Sequence, residues 1–226
     1  FNTYARIDGF IKADGTIYLN DPNTTSGMLP SSFFFHQAAE IGLNPSQFLS
    51  YIIRISIWER IQNQKEFSGL EPLLQNLDIK LSELKQVMDH KKSIAVIMGG
   101  YSFERHISLE SGRNIFEKLS SSNKYNAIPV FLSGNSDHFT LFQIPIHYML
   151  KDNADDIRDK IKHDTIHPAI NLIREECRSI LDKYGSQNYS FHPKEIRLDY
   201  LKENNYFAFI ALHGRPGEDG TLQKEL

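Results

Sequence analysis

The stretch Ser93-Ile-Ala-Val-Ile-Met-Gly-Gly-Tyr-Ser-Phe-Glu-Arg-His-Ile-Ser-Leu109 decides the fold of the longer part of this chain. An apolar run at 94–98 ends at Gly99-Gly100, and from Ser108 to Leu119 apolar residues recur at helical spacing. The stretch therefore predicts a buried strand, a tight turn and a helix, which is the opening unit of a parallel α/β domain. The loop of such a turn lies at the carboxyl edge of the sheet, where open α/β folds bind ligands.

Glu104 and Arg105 lie in the loop that this turn forms. The Gly99-Gly100 pair alone is equally consistent with a tight connection that carries no site. A dinucleotide site is disfavoured, because the glycine spacing that lets a pyrophosphate approach a helix is absent and a carboxylate would repel phosphate. Glu104 is better suited to a cationic group, such as the amine of a substrate.

The composition is that of a globular protein without a basic surface. The 226 residues carry a formal net charge of −3, so a nucleic-acid partner is not indicated. No apolar run has the length of a membrane span and no signal peptide is visible, which predicts a cytoplasmic protein with no membrane partner. Because the sequence starts at Phe1 and ends within a helical pattern, we expect it to be a piece of a longer polypeptide.

The N-terminal residues predict a β-hairpin. Strand-like runs at 4–10 and 16–20 flank Ala13-Asp14-Gly15, with Asp-Gly as the central pair. A two-residue turn would place Asp8 directly opposite Asp21, with side chains roughly 5 Å apart on one face. Two opposed carboxylates destabilise a hairpin unless a cation lies between them or one of them takes up a proton.

The same face of the hairpin would carry an amide and a guanidinium. Alternation along the strands puts Arg6 opposite Asn23. Asp8, Asp21 and Asn23 offer only oxygen ligands, the set that suits Mg²⁺ when phosphate oxygens and water complete its shell. A solvated charged face is the alternative, because aspartates are mostly exposed.

A helix and a linker follow the hairpin. Asn44-Pro45 predicts a helix start, and the apolar face of that helix up to about residue 60 is typical of a core helix. From 62 to 91 the apolar pattern thins, which indicates a linker with a short helix at Leu81–Met88. The predicted units are therefore 1–61 and 92–226, and the sequence leaves open whether they touch.

The second unit is predicted to be an α/β domain with a parallel sheet. Ala127–Leu132 is its second strand and Tyr206–Leu212 its third, whose nearly continuous apolar run predicts a buried position. Residues 155–184 predict one or two helices, and residues 141–150 either an edge hairpin or a loop.

A second polar loop, His213-Gly-Arg-Pro-Gly-Glu-Asp-Gly-Thr221, follows the third strand. Like the loop with Glu104, it follows the carboxyl end of a strand, so the two loops could meet over one crevice. A lone histidine is more often structural than catalytic. The glycines, the arginine and the two acids beside His213 favour a functional role.

These motifs resemble those of the D-alanine-D-alanine ligases of the ATP-grasp superfamily. Residues 98–109 are similar to the family's N-terminal substrate loop, and residues 211–223 to its second signature. Arg6-Ile-Asp8 with residues 19–27 is similar to the metal and oxyanion segment that normally closes the catalytic domain, and residues 42–49 match the helix after it. The resemblance implies a hairpin-plus-helix end of one ATP-grasp catalytic domain joined to the parallel-sheet N-terminal domain of a second ligase module.

In the family the metal and oxyanion segment normally comes last, whereas in this chain it precedes the N-terminal substrate loop. Either a tandem ligase polypeptide or a circular permutation would produce this order. The part of the family that holds adenine and phosphates is not recognisable in the chain, so we expect the chain alone not to catalyse ligation. The partners implied are D-alanine and the missing ligase domains of the same polypeptide; a homodimer is left open.

The resemblance also implies a reaction and a role for each candidate residue. The family uses ATP to phosphorylate the carboxylate of a first D-alanine, and the amine of a second then displaces phosphate, which gives the dipeptide of peptidoglycan. The implied roles are Asp8, Asp21 and Asn23 for Mg²⁺ or Mn²⁺, Arg6 and the backbone N–H of Gly27 for the oxyanion, Ser32 for the second substrate's carboxylate, Glu104 for the first substrate's ammonium, His213 near its carboxylate, and Glu218 in support.

Two departures from the family pattern keep other functions open. Asp21 stands where the family usually has glutamate, and Ser26 where it usually has proline. The first module could therefore be altered in its acceptor, for example towards a hydroxy acid. It could instead have decayed into a binding or scaffolding partner of the second.

Overall fold

The computed structural model describes residues 2–24, 27–28, 32–63, 69–87, 91–186 and 189–226. The helices and strands follow one another along the chain as β1 Arg6–Ile11, β2 Ile17–Asn23, α1 Phe33–Glu40, α2 Pro45–Asn63, α3 Leu70–Val87, β3 Lys92–Gly99, α4 Arg105–Ser120, β4 Tyr125–Gly134, β5 Phe139–Gln143, α5 Ile146–Lys151, α6 Ala154–Lys162, α7 Pro168–Glu176, α8 Arg178–Tyr184, β6 Lys194–Ile196, α9 Leu198–Glu203, β7 Phe207–Ile210 and α10 Thr221–Glu225.

The main sheet has the strand order β6-β5-β4-β3-β7. β3 pairs in parallel with both β4 and β7, whereas β5 and β6 extend the sheet in antiparallel fashion. The predicted α/β class with parallel strands is confirmed. The ambiguous segment 141–150 contains the end of β5 and most of α5, so it is neither an edge hairpin nor a loop: β5 lies between β4 and β6 in the sheet, and a helix follows it.

β3 is buried because both faces of the sheet are covered. Val96 and Met98 belong to one apolar cluster, together with residues of α4 and α5. Ala95 and Ile97 belong to a second cluster on the opposite face, with residues of α9 and α10. This two-sided burial explains the uninterrupted apolar run of the strand.

The predicted burial of the third strand is wrong for β7. It lies at the edge of the sheet with β3 as its neighbour, and Phe207 and Phe209 are 60% and 42% exposed. An apolar run is shared by strands buried within a sheet and by edge strands, so the pattern alone does not give the position.

Three helices, α6, α7 and α8, occupy the region where the sequence predicts one or two. Pro168 begins α7 after the cap residue His167, and Cys177 separates α7 from α8. The linker helix is also longer than predicted, since α3 starts at Leu70 rather than at Leu81.

A polar clamp holds α3 against α2 and α8. Asp78 of α3 accepts hydrogen bonds from Arg54 of α2, with Nε–Oδ1 and Nη2–Oδ2 distances of 2.6 and 2.9 Å. Lys183 of α8 adds an ion pair to Asp78 at 2.8 Å. Hydrogen bonds from Arg54 hold the pKa of Asp78 at about 2, below its usual 3.8.

The upstream and downstream units are packed together. Ala39 of α1 is buried in the same apolar cluster as Met149 of α5. Beside it, Arg174 is 9% exposed and donates from Nε to the Glu40 carbonyl at 2.8 Å. The Glu40 carboxylate pairs with Arg174 at 3.4 Å and with Lys151 at 3.1 Å. Apolar and charge-assisted contacts therefore fix α1 to the α/β domain.

Replacing Arg174 by alanine tests this junction. We expect Arg174→Ala to lower the free energy of unfolding by about 3 kcal/mol, because Glu40 loses its buried partner. The exposed pair between Arg158 and Asp155 provides the control, and Arg158→Ala should cost less than about 1 kcal/mol. Urea denaturation measures both values. Equal losses in the two variants would contradict the docked arrangement.

The Asp78 clamp predicts a dependence of stability on acid. A carboxyl with a lowered pKa stabilises the folded state above its unfolded pKa, and this contribution is lost as the pH falls through the folded value. The relevant window runs from 3.8 down to about 2. The free energy of unfolding of Asp78→Asn, measured by denaturation across this window, should fall less steeply than that of the unaltered chain. Parallel curves would show that the clamp is not formed.

Candidate functional site

The glycine pair after β3 lets the strand turn into the loop that contains Glu104. Gly99 and Gly100 both have positive φ, at 83° and 98°. A Cβ on Gly99 would lie 2.3 Å from the ring of Phe131, so a side chain is excluded there by contact as well as by conformation. The Gly100 amide donates to the Leu132 carbonyl at 2.9 Å, which joins the turn to the end of β4.

The loops that follow β3 and β7 meet through His213. Ser102 Oγ donates to the His213 carbonyl at 2.8 Å, and the His213 amide donates to Ser108 Oγ at 2.9 Å. Ser111 Oγ lies 2.9 Å from His213 Nε2. The prediction that the two loops share one edge of the sheet is confirmed.

Glu104 lies at the start of α4, directly beside the second loop. Its Oε2 would be 3.2 Å from a Cβ on Gly214, so the glycine allows the carboxylate to approach the backbone. Arg105 donates two hydrogen bonds to Asp155, with Nε–Oδ1 and Nη2–Oδ2 distances of 2.9 and 2.8 Å. Within the described parts of the chain the Glu104 carboxylate makes no ion pair. Its negative charge is therefore not balanced by a cation of the described residues.

Glu218 lies at the margin of this cluster. The distance from Glu218 Oε1 to His213 Nδ1 is 3.9 Å, and the glutamate side chain is 62% exposed. Its influence on His213 is therefore that of a nearby charge across solvent. Arg215 pairs with Asp219 at 3.3 Å, which leaves Glu218 as the loop's carboxylate nearest the histidine.

Sequence reasoning missed Ser108 and Ser111. They are three residues apart on α4, which places their hydroxyls on one side of the helix. Ser108 is fully buried and also donates from Oγ to the Glu104 carbonyl at 3.1 Å. The sequence did contain a sign of this contact, namely two serines at helical spacing after an apolar strand. The residue that they contact, His213, lies more than a hundred positions away, so the sequence alone did not connect them.

The register predicted for the hairpin is wrong at its centre. Asp8 pairs with Asn20 rather than with Asp21, whereas Arg6 pairs with Asn23 as predicted. Lys12 and Thr16 close a three-residue loop with Gly15 at φ 85°. The longer loop shifts the register by one residue, and a bulge restores it.

Asp21 forms that bulge, with the positive φ of 47°. Asn23 Nδ2 donates to Asp21 Oδ2 at 3.2 Å, while Arg6 donates to Asp8 Oδ2 at 3.1 Å. Two exposed carboxylates and an amide oxygen are a donor set that fits Mg²⁺ or Mn²⁺. Among the described residues no group of three or more His, Cys, Asp or Glu side chains could hold a metal.

Ser32 and Gly27 are joined where the loop enters α1. Ser32 is the N-cap residue, and its Oγ accepts a hydrogen bond from the Phe34 amide at 3.4 Å. The same hydroxyl donates to the Gly27 carbonyl at 3.2 Å. Ser26, one of the two departures from the family pattern, lies outside the described residues.

The candidate residues thus fall into three groups. Glu104, His213 and Glu218 lie together, as do Ser32 and Gly27, and the hairpin holds Arg6, Asp8, Asp21 and Asn23. In the ranges that the structure describes, no hydrogen bond or ion pair joins the hairpin group to the Glu104 group. The proposed roles of all these residues remain predictions.

The fold is an α/β domain in which two polar loops meet at the carboxyl edge of the parallel strands. The chain belongs to the D-alanine-D-alanine ligase family. The family model described as D-ala D-ala ligase N-terminus matches residues 93–226, and the one described as D-ala D-ala ligase C-terminus matches residues 1–54. The C-terminal match precedes the N-terminal one, as the motifs indicate.

Curated relatives agree with the family assignment. The chain is 30% identical over 133 residues to the D-alanine–D-alanine ligase of Borrelia duttonii, a match that covers 59% of this chain and 29% of that protein. The corresponding ligase of Finegoldia magna is 29% identical, with 59% of this chain and 30% of that protein covered. The chain thus spans less than a third of these relatives.

No solved structure matches the chain. Within the described residues, none of the helices combines the length and the apolar character that a membrane span requires.

Adjacent glycines provide a test of the turn. Gly99→Ala should lower the free energy of unfolding by about 3 kcal/mol, because the methyl group meets Phe131 in addition to the strain of a positive φ. Gly100→Ala meets only Leu212, at 3.6 Å, and should show the backbone strain of about 1 kcal/mol. Thermal or urea unfolding compares the two variants. Equal losses would contradict the packing of this turn against Phe131.

Proposed function

We propose that this chain is part of an ATP-dependent D-alanine-D-alanine ligase, a carboxylate-amine ligase that makes the peptidoglycan dipeptide in the cytoplasm. Residues 1–61 would end one ligase module, residues 62–91 link it, and residues 92–226 open the next. The observation that carries the proposal is the Glu104 carboxylate, which has no ion-pair partner in the described chain and lies beside the hydrogen-bonded His213 loop.

The Glu104–His213 group suits a small zwitterion. D-Alanine carries an ammonium and a carboxylate on one carbon, so it needs an anionic and a donating group a few ångströms apart. Glu104 would take the ammonium by a charge-assisted hydrogen bond. His213, whose Nε2 lies 2.9 Å from Ser111 Oγ, would lie near the carboxylate, and Glu218 Oε1 lies 3.9 Å from the other ring nitrogen of His213.

The hairpin supplies what the transfer steps need. When bound, Mg²⁺ or Mn²⁺ would neutralise the phosphate oxygens of ATP, and Asp8, Asp21 and Asn23 would hold it. Arg6 and the backbone N–H of Gly27 would stabilise negative charge on the carbonyl oxygen as the amine adds. Ser32, at the start of α1, would contact the carboxylate of the second substrate.

The reaction is a balanced exchange of two bonds. A carboxylate oxygen of the first D-alanine bonds to the γ-phosphorus of ATP as ADP departs, which gives an acyl phosphate. The amine of the second D-alanine then bonds to the acyl carbon and loses a proton, and phosphate departs and takes up that proton. The ATP-binding part of the family is not among the matched segments, so we propose that ligation requires further ligase domains of the same polypeptide.

A kinetic test concerns Glu104. In the full polypeptide, Glu104→Gln should raise the KM for the first D-alanine by about 10-fold to 100-fold, because a charge-assisted hydrogen bond is lost. Glu203→Gln, an exposed substitution on α9, serves as the control and should leave the KM unchanged. Phosphate release at varied D-alanine concentration measures both. An unchanged KM in Glu104→Gln would count against the substrate role.

A second candidate function is a scaffold formed by a decayed first module. The observation that favours it is Asp21, which is about 1.5 Å shorter in reach than the usual glutamate by ordinary bond lengths. It also lies in a bulge of the hairpin rather than opposite Asp8.

Metal titration separates the two functions. Asp8→Asn and Asp21→Asn in the full polypeptide should each shift the Mg²⁺ dependence of phosphate release to higher metal concentration if the hairpin holds the ion, because a carboxylate ligand becomes a neutral amide. Asp137→Asn, in the exposed turn before β5, is the control. Unchanged metal dependence in both hairpin variants would support the scaffold and exclude the catalytic role of this module.

A further inference from the structure

A cavity of about 690 Å³ lies at the edge of the sheet opposite to Glu104 and His213. Its wall includes Tyr125 at the start of β4, Lys91 just before β3 and Tyr206 just before β7. These positions mark the amino ends of the parallel strands, whereas the candidate ligase loops follow their carboxyl ends. The volume is within the range of small-molecule sites in proteins.

The cavity is built from both family segments and from the linker between them. Ser46 and Gln47 of the first turn of α2 line it on one side, and Lys85 of α3 lies nearby. Lys85 and Lys91 fall between the two family matches, which cover residues 1–54 and 93–226. This cavity therefore depends on the junction that distinguishes the chain.

The lining is cationic. The described residues around the cavity include Lys85, Lys91, Lys183 and Lys194 and no Asp or Glu. Lys183 is neutralised by Asp78 at 2.8 Å. The other lysines make no ion pair within the described chain, so their combined charge attracts an anion.

Lys91 is a partly buried cation of this lining. Its Nζ donates to the Ser122 carbonyl at 3.3 Å, at the carboxyl end of α4, and burial lowers the pKa of its amine. The carbonyl offers only a partial negative charge. A partly buried ammonium without a carboxylate partner destabilises the fold, and a bound anion would reverse that effect.

Neutral donors and aromatic rings complete the lining. Lys194 Nζ lies 5.5 Å from the centroid of the Tyr200 ring, and that ring lies 6.0 Å from the ring of Tyr206. Tyr206 adds a phenol hydroxyl that can donate a hydrogen bond, and burial raises the pKa of this group to about 12. Ser46 adds a hydroxyl from α2, whereas the Ser50 hydroxyl already donates to the Ser46 carbonyl at 2.9 Å. Ring faces and hydroxyl donors beside lysines suit a phosphorylated ligand with a planar body.

We propose that this junction cavity is a binding site for a small ligand that carries a diphosphate group. Several lysines without carboxylate partners match a ligand with multiple negative charges better than a monoanion. The bound ligand bridges α2, α3 and the α/β domain, so it stabilises the junction as well as occupying it. The proposal does not depend on the ligase chemistry assigned to the opposite edge.

Calorimetric titration of the 226-residue chain with inorganic pyrophosphate at constant ionic strength tests the proposal. We expect saturable binding of one equivalent. Lys91→Gln and Lys194→Gln should each weaken it by about tenfold or more, because each removes a charge-assisted hydrogen bond. Lys162→Gln, at an exposed lysine outside the cavity, is the matched control and should bind like the unaltered chain. Circular dichroism of each variant establishes that it is folded.

Two further ligands sharpen the outcome. If ADP binds more tightly than pyrophosphate, the part of the cavity lined by Tyr200 and Tyr206 binds a planar base. If the two ligands bind equally well, the site recognises the diphosphate group alone. Citrate tests whether any polyanion suffices, and citrate binding equal to that of pyrophosphate would overturn the diphosphate assignment. Absence of saturable pyrophosphate binding, or equal weakening in Lys162→Gln, would overturn the site itself. If Lys91→Gln does not fold, Lys85→Gln takes its place with the same expected loss.

Discussion

The parallel pairing of β3 on both sides is the constraint on which the rest of the structure depends. Because β4 and β7 run in the same direction as β3, the loops after β3 and β7 leave the sheet at the same edge. Burial of β3 on both faces fixes the strand, and Gly99 lets it turn without meeting Phe131. The hydroxyls of Ser108 and Ser111 on α4 then form hydrogen bonds with His213, which lies far away in the sequence. Glu104 is placed as a consequence of these contacts.

The second organising contact is the docking of the upstream segment. Glu40 ends α1 and receives Arg174 and Lys151 from the α/β domain, so a carboxylate of one family segment is neutralised by cations of the other. This arrangement joins the segments that match the two family models. It also creates the cationic cavity, because α2 and α3 are held against the amino edge of the sheet. The paired loops after β3 and β7 and this cavity lie at opposite edges of one sheet.

Much of the fold and part of the site could be predicted from the sequence. The apolar run 94–98 before Gly99 gave a strand and turn, and parallel topology then required the two polar loops to meet. The order of the motifs predicted the order of the two family segments. The hairpin register was predicted wrongly because it depends on the local geometry of the turn, which the periodicity of apolar residues does not reveal. Gly15 allows a three-residue loop, which moved the hairpin register and made Asp21 a bulge. The first half of α3 is a different kind of miss: leucines recur there at helical spacing, but Gly69 and Pro72 favoured a linker.

The central claim is that His213 is held against α4, so that the loops of two strands form one site. Nuclear Overhauser contacts in the assigned chain test it most directly, since Ser111 Oγ and His213 Nε2 are 2.9 Å apart. The account predicts contacts from the His213 ring protons to the β-protons of Ser111. Assigned signals for both residues with no contact between them, in a chain that is otherwise folded, would contradict it.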